Sequence, residues 1–518
     1  MSEGVNIKGG REKNEMIVIG LFILLTAVAL PSIHATSALL TRTTSLILIS
    51  AAFLVANVYS WTGLGTGLSL YGGLINVTGV AITSQVMLLI VGALALTPWA
   101  PQGTQGMTSL PRVGTYPLFA LITTIGGCML VSSGDVITFY LSLELQSFSV
   151  YVLAALYRDS ESATHAGLLY FLLGGLSSSL ILLGFALVYS QTGITSIDGL
   201  MILLGVESDT ISWGTLLGFM SVLTGLLFKI TAAPFHHWGP DVYDGVPTIV
   251  TTWLAVLPKI SLIMFLLTLS NGLNGALQVF TGTGSSYDVW TTLLQVSCVL
   301  SLVIGTVVGL AQSRIKRLLA YSTVSHMGFM LAAMSLSTSE GTAATILYLV
   351  QYTLTALLSF SAVLALGYNR QVKRESLDLI DISELVGSFK KNPAVSTCLA
   401  TSLFSMAGVP PLLGFYGKQA VLSASLNGGL VFISIVAVVT SVISASYYLY
   451  LVRVSHFDTE EKNITEFTHT VNQNTSGQVT SLHSYGLSVM TLMTIGFMAC
   501  PDLLLDTCRL MAITLTTV

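Results

Sequence analysis

Apolar residues run through this chain in blocks of about twenty, broken by short polar turns. The hydrocarbon core of a bilayer is about 30 Å thick and is crossed by ~20 helical residues. That rule predicts about fourteen spans, over 16–33, 43–61, 78–98, 114–133, 135–157, 164–190, 211–239, 247–270, 289–311, 316–336, 343–367, 393–425, 428–452 and 485–506.

Composition agrees. Of 518 residues, 53% are hydrophobic and 8% charged, whereas a soluble domain carries about 25% charged residues. The chain is expected to be an all-α polytopic membrane protein. A net charge of −4 points to no nucleic-acid partner. The five cysteines, Cys128, Cys298, Cys398, Cys500 and Cys508, show no CxxC spacing. They are expected to be packing residues, with neither an iron–sulfur cluster nor a disulfide framework. Residues 1–15 mix Glu3, Glu12 and Glu15 with Lys8, Arg11 and Lys13, unlike an Arg-rich, acid-poor transit peptide.

The basic residues test the span count. Numbering each loop by the span it follows, the odd loops hold Arg42, Arg112, Arg158, Arg314, Lys316, Arg317, Arg370, Lys373, Arg374, Lys390, Lys391, Arg453 and Lys462. The even loops hold none, and Lys8, Arg11, Lys13 and Arg509 lie in the tails. This one-sidedness is a positive-inside signature. It places the odd loops on the cytoplasmic or matrix side and both termini opposite.

Three lysines remain inside spans: Lys229, Lys259 and Lys418. Glu144 is the acid well inside one, in ITFYLSLELQSFSVYVL. Four such groups cost on the order of 10 kcal/mol by insertion scales unless paired or hydrated. Intramembrane ionisable groups are functional candidates by default.

Two of the lysines sit beside helix breakers. FKITAAPFHHWG (228–239) and FSMAGVPPLLGF (404–415) both run Phe, five residues, Pro, then Gly. Pro234 and the pair Pro410, Pro411 remove backbone donors and disrupt their helices. Each segment is the fourth of a five-span set, spans 4–8 (114–270) and 9–13 (289–452). Five is odd, so the second set would be inverted relative to the first, a plan that recurs in transporters with discontinuous helices. Residues 1–113 would form a tail and three further spans, and 453–518 a hydrophilic loop and a last span. Counting helical rise from the turn near 240–246 puts Lys229 and Lys259 roughly 16–20 Å below it, near mid-membrane. Pro258 is expected to kink the eighth span.

Burial favours a neutral amine and a nearby carboxylate favours the ammonium. A buried lysine is therefore switched by moving its partner. Glu144 is expected to pair with Lys229 in one state and release it in another, with protons passing to Lys259 and on to Lys418 through water. His326 would relay between the last two. His236 and His237 would line the same path or cap the broken backbone. The competing structural roles are snorkelling for the lysines, a fixed ion pair for Glu144 and core packing for His326. Asp241 and Asp244 are expected to tie the loop after the seventh span. No metal ligand set is expected.

FYLSLELQSFSVYVLAALYR, YFLLGGLSSSLILLG, FKITAAPFHHWGPDVYDGVPT, RIKRLLAYSTVSHMGFML and SMAGVPPLLGFYGKQ together resemble the chain-2 family of antiporter-like subunits of proton-pumping NADH:quinone oxidoreductase, respiratory complex I. The likeness covers about 114–452, and its full-length form is that of fungi, plants and protists. It implies two inverted five-helix units with the seventh and twelfth helices discontinuous. It implies that Glu144 is the fifth-helix carboxylate and that Lys229, Lys259 and Lys418 are the lysines of helices seven, eight and twelve. It implies contacts with the chain-4 antiporter-like subunit, the chain-4L/chain-6 region and lipids such as cardiolipin. It implies that FMN, iron–sulfur clusters and quinone are carried by other subunits, with none in this chain. The implied location is the mitochondrial inner membrane, odd loops facing the matrix. The polar segments 1–15 and 455–484 depart from the family pattern, and 371–392 resembles an interfacial connector. The alternatives are a subunit of a related multisubunit cation/proton antiporter and a non-pumping scaffold.

Overall fold

The structure, a computed structural model, describes residues 37–61, 67–99, 115–157, 160–206, 212–273, 277–280, 286–369, 378–458 and 481–516. The expected span at 16–33 and most of the polar segments 1–15 and 455–484 lie outside these residues. Among the described residues the chain forms eighteen α-helices and two short hairpins.

Helices α1 (Ser37–Trp61) and α2 (Gly79–Ala95) are joined by a hairpin of β1 (Leu68–Leu70) and β2 (Ile75–Val77). The first five-helix set follows: α3 (Tyr116–Val131), α4 (Val136–Ala155), α5 (Glu161–Thr192), a broken element of α7 (Trp213–Lys229) and α8 (Trp238–Gly245), and α9 (Thr248–Gly272), with a short α6 (Ile197–Val206) before the break. A second hairpin, β3 (Gln278–Phe280) with β4 (Ser286–Asp288), leads to the second set. That set is α10 (Val289–Leu310), α11 (Ile315–Met334), α12 (Ser339–Asn369), the broken α14 (Pro393–Ala407) and α15 (Leu413–Asn427), and α16 (Val431–His456), with a one-turn α13 (Ser388–Lys391) in the connector. Two helices close the chain, α17 (Ser481–Gly496) and α18 (Pro501–Thr516).

Local chemistry sets the helix starts. Asp135 opens α4 by accepting from Ile137 N at 2.8 Å, while the Thr138 hydroxyl accepts from Asp135 N at 3.4 Å, a reciprocal cap. Ser160 caps α5, whose far end stops at Gly193 in the left-handed region with φ 69°.

Burial separates centre from rim. The most apolar windows of α9 and α12 are 94% and 89% buried, against 39–44% for α4, α5, α10 and α16. Nearly every residue of α11 is also buried. Three central helices thus lie away from lipid, and all three carry polar side chains.

The loops sort by end. At one end Asn76 donates to Asp198 at 2.9 Å, Thr195 to Asp135 at 2.8 Å and Asn427 to Glu340 at 3.0 Å. At the other, Arg314 meets Asp244 at 2.6 Å, Arg317 meets Asp241 at 3.2 Å and Lys316 meets Asp378 at 3.2 Å. Asp241 and Asp244, both on α8, thus tie this short helix to the start of α11. Loops of one parity contact one another, as a continuous up-and-down path requires.

Two expectations change. The last span, expected whole over 485–506, is two helices parted at Cys500 (φ −141°, ψ 65°) before Pro501, because the residue before proline is pushed out of helical conformation. The chain from Lys229 to the turn is interrupted, so a count of helical rise applies to Lys259, on unbroken α9, and no longer to Lys229.

Candidate functional site

The first break begins where α7 ends. Lys229 is the last residue of α7, at the carbonyl end where the helix dipole favours a cation. Thr231 then takes a left-handed φ of 61°, and α8 does not start until Trp238. Two freed carbonyls find donors: Trp238 Nε1 donates to Phe228 O at 2.8 Å, and Ser297 Oγ donates to Ala233 O at 2.7 Å. The indole also stacks on Tyr170 at 4.6 Å between ring centroids. Sequence reasoning gave the capping task to His236 or His237, yet His237 precedes α8 without a side-chain cap bond. His236 is buried, its ring centre 4.5 Å from that of His237 in a tilted pair and 6.3 Å from that of Tyr321 edge-on, with Nδ1 unpartnered among the described residues.

Lys229 Nζ donates to Ser147 Oγ at 2.8 Å and lies 3.8 Å from Glu144 Oε1. Glu144 and Ser147 are three residues apart on α4 and present one face. A cavity of about 20 Å³ adjoins the pair, bounded by Gln146, Ser147, Tyr151, Lys229, Trp238 and Pro258 among others. A water needs roughly 10–15 Å³ and several polar partners, so the space suits one. Pro258 and Leu262 in its wall put this chamber against α9, the helix that carries Lys259.

Lys259 is 2% exposed. Its Nζ donates to Tyr352 Oη at 3.3 Å and stands 5.4 and 5.6 Å from the ring centres of Tyr243 and Tyr352, within cation–π range. Tyr352 in turn donates to Ala255 O at 3.0 Å. Among the described residues no carboxylate lies within ion-pair distance of Lys259 or Lys418.

Beyond Tyr352 lies His326, at 5.7 Å between ring centroids. Its Nδ1 is 2.8 Å from Tyr348 Oη and its Nε2 is 3.2 Å from Tyr448 Oη. A neutral imidazole has one N–H and one lone pair, so one phenol accepts and the other donates. Exchanging those roles moves a proton across the ring.

The second break starts at Gly408, in the left-handed region with φ 87°, whose N–H returns to Phe404 O at 3.0 Å. Glycine carries no steric penalty there. Lys418, on α15, reaches back to donate to Ala407 O at 2.9 Å and stands 5.5 Å from the Phe329 ring centre. The first break is thus closed by a neutral indole and the second by the ammonium itself.

The structure brings Glu144 and Lys229 together and sets His326 between the tyrosines beside Lys259 and the helices around Lys418. It leaves His237 without a contact to any lysine among the described hydrogen bonds and ion pairs. Sequence reasoning missed Trp238, Tyr348, Tyr352 and Tyr448. Tyr348 and Tyr352 are four apart in an otherwise apolar block, which marks one face of a helix.

The model of the NADH:quinone oxidoreductase/Mrp antiporter transmembrane family matches residues 133–444, more than half of the chain. The chain belongs to this family. The match spans α4 to α16 and so includes Glu144, both breaks and all three lysines. Among its relatives, NADH-ubiquinone oxidoreductase chain 2 of Rhizopus oryzae is 40% identical over 96% of this chain and 99% of its own. NADH-quinone oxidoreductase subunit N of Rhodobacter capsulatus is 38% identical over 76% of this chain and 79% of its own. A chain in the structure of respiratory complex I from Thermus thermophilus with bound aureothin superposes with a TM-score of 0.73 at 26% identity, over 95% of this chain and 98% of that one. A chain of the Mrp complex from Dietzia shares the fold, with a TM-score of 0.78 at 19% identity over 97% of both chains.

Proposed function

We propose that protons cross this chain through Glu144, Lys229, Lys259, His326 and Lys418, joined by tyrosines and water, as part of respiratory complex I. The chain is an antiporter-like membrane-arm subunit of NADH:quinone oxidoreductase. Its redox groups, FMN, iron–sulfur clusters and quinone, belong to other subunits, whose chemistry supplies the driving energy. The observation that carries the reading is the central row itself: Lys259, Tyr352, His326, Tyr348 and Tyr448 form a polar file through the buried centre of the helix bundle.

The file permits stepwise transfer. Glu144 holds the charge on Lys229 in this conformation. Withdrawing Glu144 leaves a buried ammonium unpaired, which favours release of its proton toward the chamber beside Pro258. Lys259, facing rings and no carboxylate, then takes up or passes that proton. His326 and its two phenols carry the charge on toward α15.

The mitochondrial inner membrane is the proposed location, with the end bearing Arg314, Lys316 and Arg317 in the matrix, as the charge sorting implies. The chain-4 and chain-4L/chain-6 subunits, with lipids such as cardiolipin, are the proposed neighbours for the exposed apolar flanks of α5, α10 and α16.

Lys259→Ala in the assembled complex tests the proposal. The expected result is a fall in the proton-to-electron ratio of membrane vesicles oxidising NADH. A full ratio in a fully assembled variant defeats the proton route and leaves a scaffold.

A further inference from the structure

Helix α12 carries a polar stripe. Tyr348, Gln351, Tyr352 and Thr355 fall at i, i+3, i+4 and i+7, so they share one face. Tyr348 serves His326 and Tyr352 serves Lys259. Gln351 lies between them, 0% exposed, and neither its Oε1 nor its Nε2 meets a hydrogen-bonding partner among the described residues. A side-chain amide offers two donors and two lone pairs, and buried polar groups are almost always bonded to protein or to ordered water.

What faces this amide is a glycine. A Cβ added at Gly417 would stand 2.7 Å from Gln351 Oε1 and 3.4 Å from both Gln351 Cδ and Tyr348 Cδ2. The next residue is Lys418. Its bond goes to the Ala407 carbonyl, and among the described residues no side-chain hydrogen bond links it to His326 or Tyr348. The polar file therefore stops one step short of Lys418, and the unpartnered amide stands at that step.

We propose that Gln351 is a positioning residue: its amide holds the water that joins the Tyr348–His326 pair to Lys418, in space left open by Gly417. This rests on the proton route proposed above. The ligand is water, and the amide orients it without itself gaining or losing a proton.

The test uses the assembled complex in membrane vesicles, reading coupled proton flux and its solvent isotope effect in D2O. Gln351→Met keeps length and bulk but replaces the amide with a thioether, which donates nothing and accepts only weakly. The expected result is normal assembly, several-fold slower flux and a larger isotope effect. Gln351→Glu, which still binds water, restores most of the flux. Gly417→Ala, whose methyl displaces the amide, reproduces the Met variant and decides the matter if Gln351→Met fails to assemble. Flux and isotope effect unchanged in Gln351→Met, or unchanged flux in Gly417→Ala, overturns the proposal, as does a Glu variant as slow as the Met one. Lys418→Ala is measured beside them. If it leaves flux intact, the proton route fails. If it stops flux while Gln351→Met does not, only the assignment of Gln351 fails.

Discussion

Three buried amines share one chain, and each is stabilised by different chemistry. Lys229 has a carboxylate and a hydroxyl, Lys259 has two aromatic faces and a phenol, and Lys418 has the open carbonyl end of a half-helix. These supports differ in how readily they are withdrawn. A side chain such as Glu144 rotates away, whereas a ring in a packed core or a helix terminus moves only with its element. Lys229 is therefore the amine most easily switched. Opposite charges about 4 Å apart attract by roughly 4 kcal/mol at an effective dielectric of ~20, an attraction that is lost when Glu144 rotates away. Glu144→Gln and Lys229→Ala should each slow coupled proton flux at least tenfold. Because both act on one pair, the double variant should be no slower than the worse single one. Additive losses in the fluxes of the four assembled complexes would show that the two residues act independently.

At the scale of elements, the breaks were legible in the sequence and the polar file was not. Proline leaves a backbone donor missing wherever it falls, so the positions of Pro234 and the Pro410–Pro411 pair are enough to mark the interruptions. A lysine or glutamate in an apolar block stands out by its cost. Tyr348, Gln351 and Tyr352 gave a weaker signal, since tyrosine and glutamine are ordinary in a packed helix and only their spacing separates them from it. The short α6 and the split at Pro501 were lost because hydrophobicity alone does not mark where an apolar run changes direction. Trp238 was hidden for another reason: its partner, the carbonyl of Phe228, becomes available only once the helix is broken. Trp238→Phe keeps the stacking on Tyr170 and deletes the N–H. The Phe228 carbonyl keeps the Thr231 N–H at 3.1 Å and loses one of its two donors, a net loss of about 0.5–1.5 kcal/mol, so the variant complex should lose subunits at a slightly lower temperature on native gels. An unchanged onset would mean that the carbonyl is satisfied without the indole.

For the molecule as a whole, the sorting of arginine and lysine and the contacts between loops describe the same up-and-down path from independent directions. The basic end is also where the two five-helix sets are tied, and the ties are unequal. Arg314 meets Asp244 at 2.6 Å, with the arginine side chain 53% exposed. Water competes there, and such surface pairs contribute about 0–1 kcal/mol. Lys316 is different: its side chain is 5% exposed, and it donates to Val246 O at 2.8 Å and to Asp378 at 3.2 Å. Asp378 also accepts from Thr248 N at 3.0 Å, capping the helix that carries Lys259. One carboxylate therefore fixes the connector before α14, the start of α11 and the start of α9. Removing it strands a buried ammonium, a loss on the order of 3 kcal/mol. Asp378→Ala should lower the dissociation temperature of the complex clearly, and by the same margin in low and high salt, because a buried charge is weakly screened. Arg314→Ala should shift it little, and that shift should vanish in high salt. Lys316→Met should fall between them, since Asp378 stays partly hydrated and still caps α9. Equal shifts for Asp378→Ala and Arg314→Ala would mean that this end is held by hydrophobic packing, with the buried pair contributing no more than the surface one.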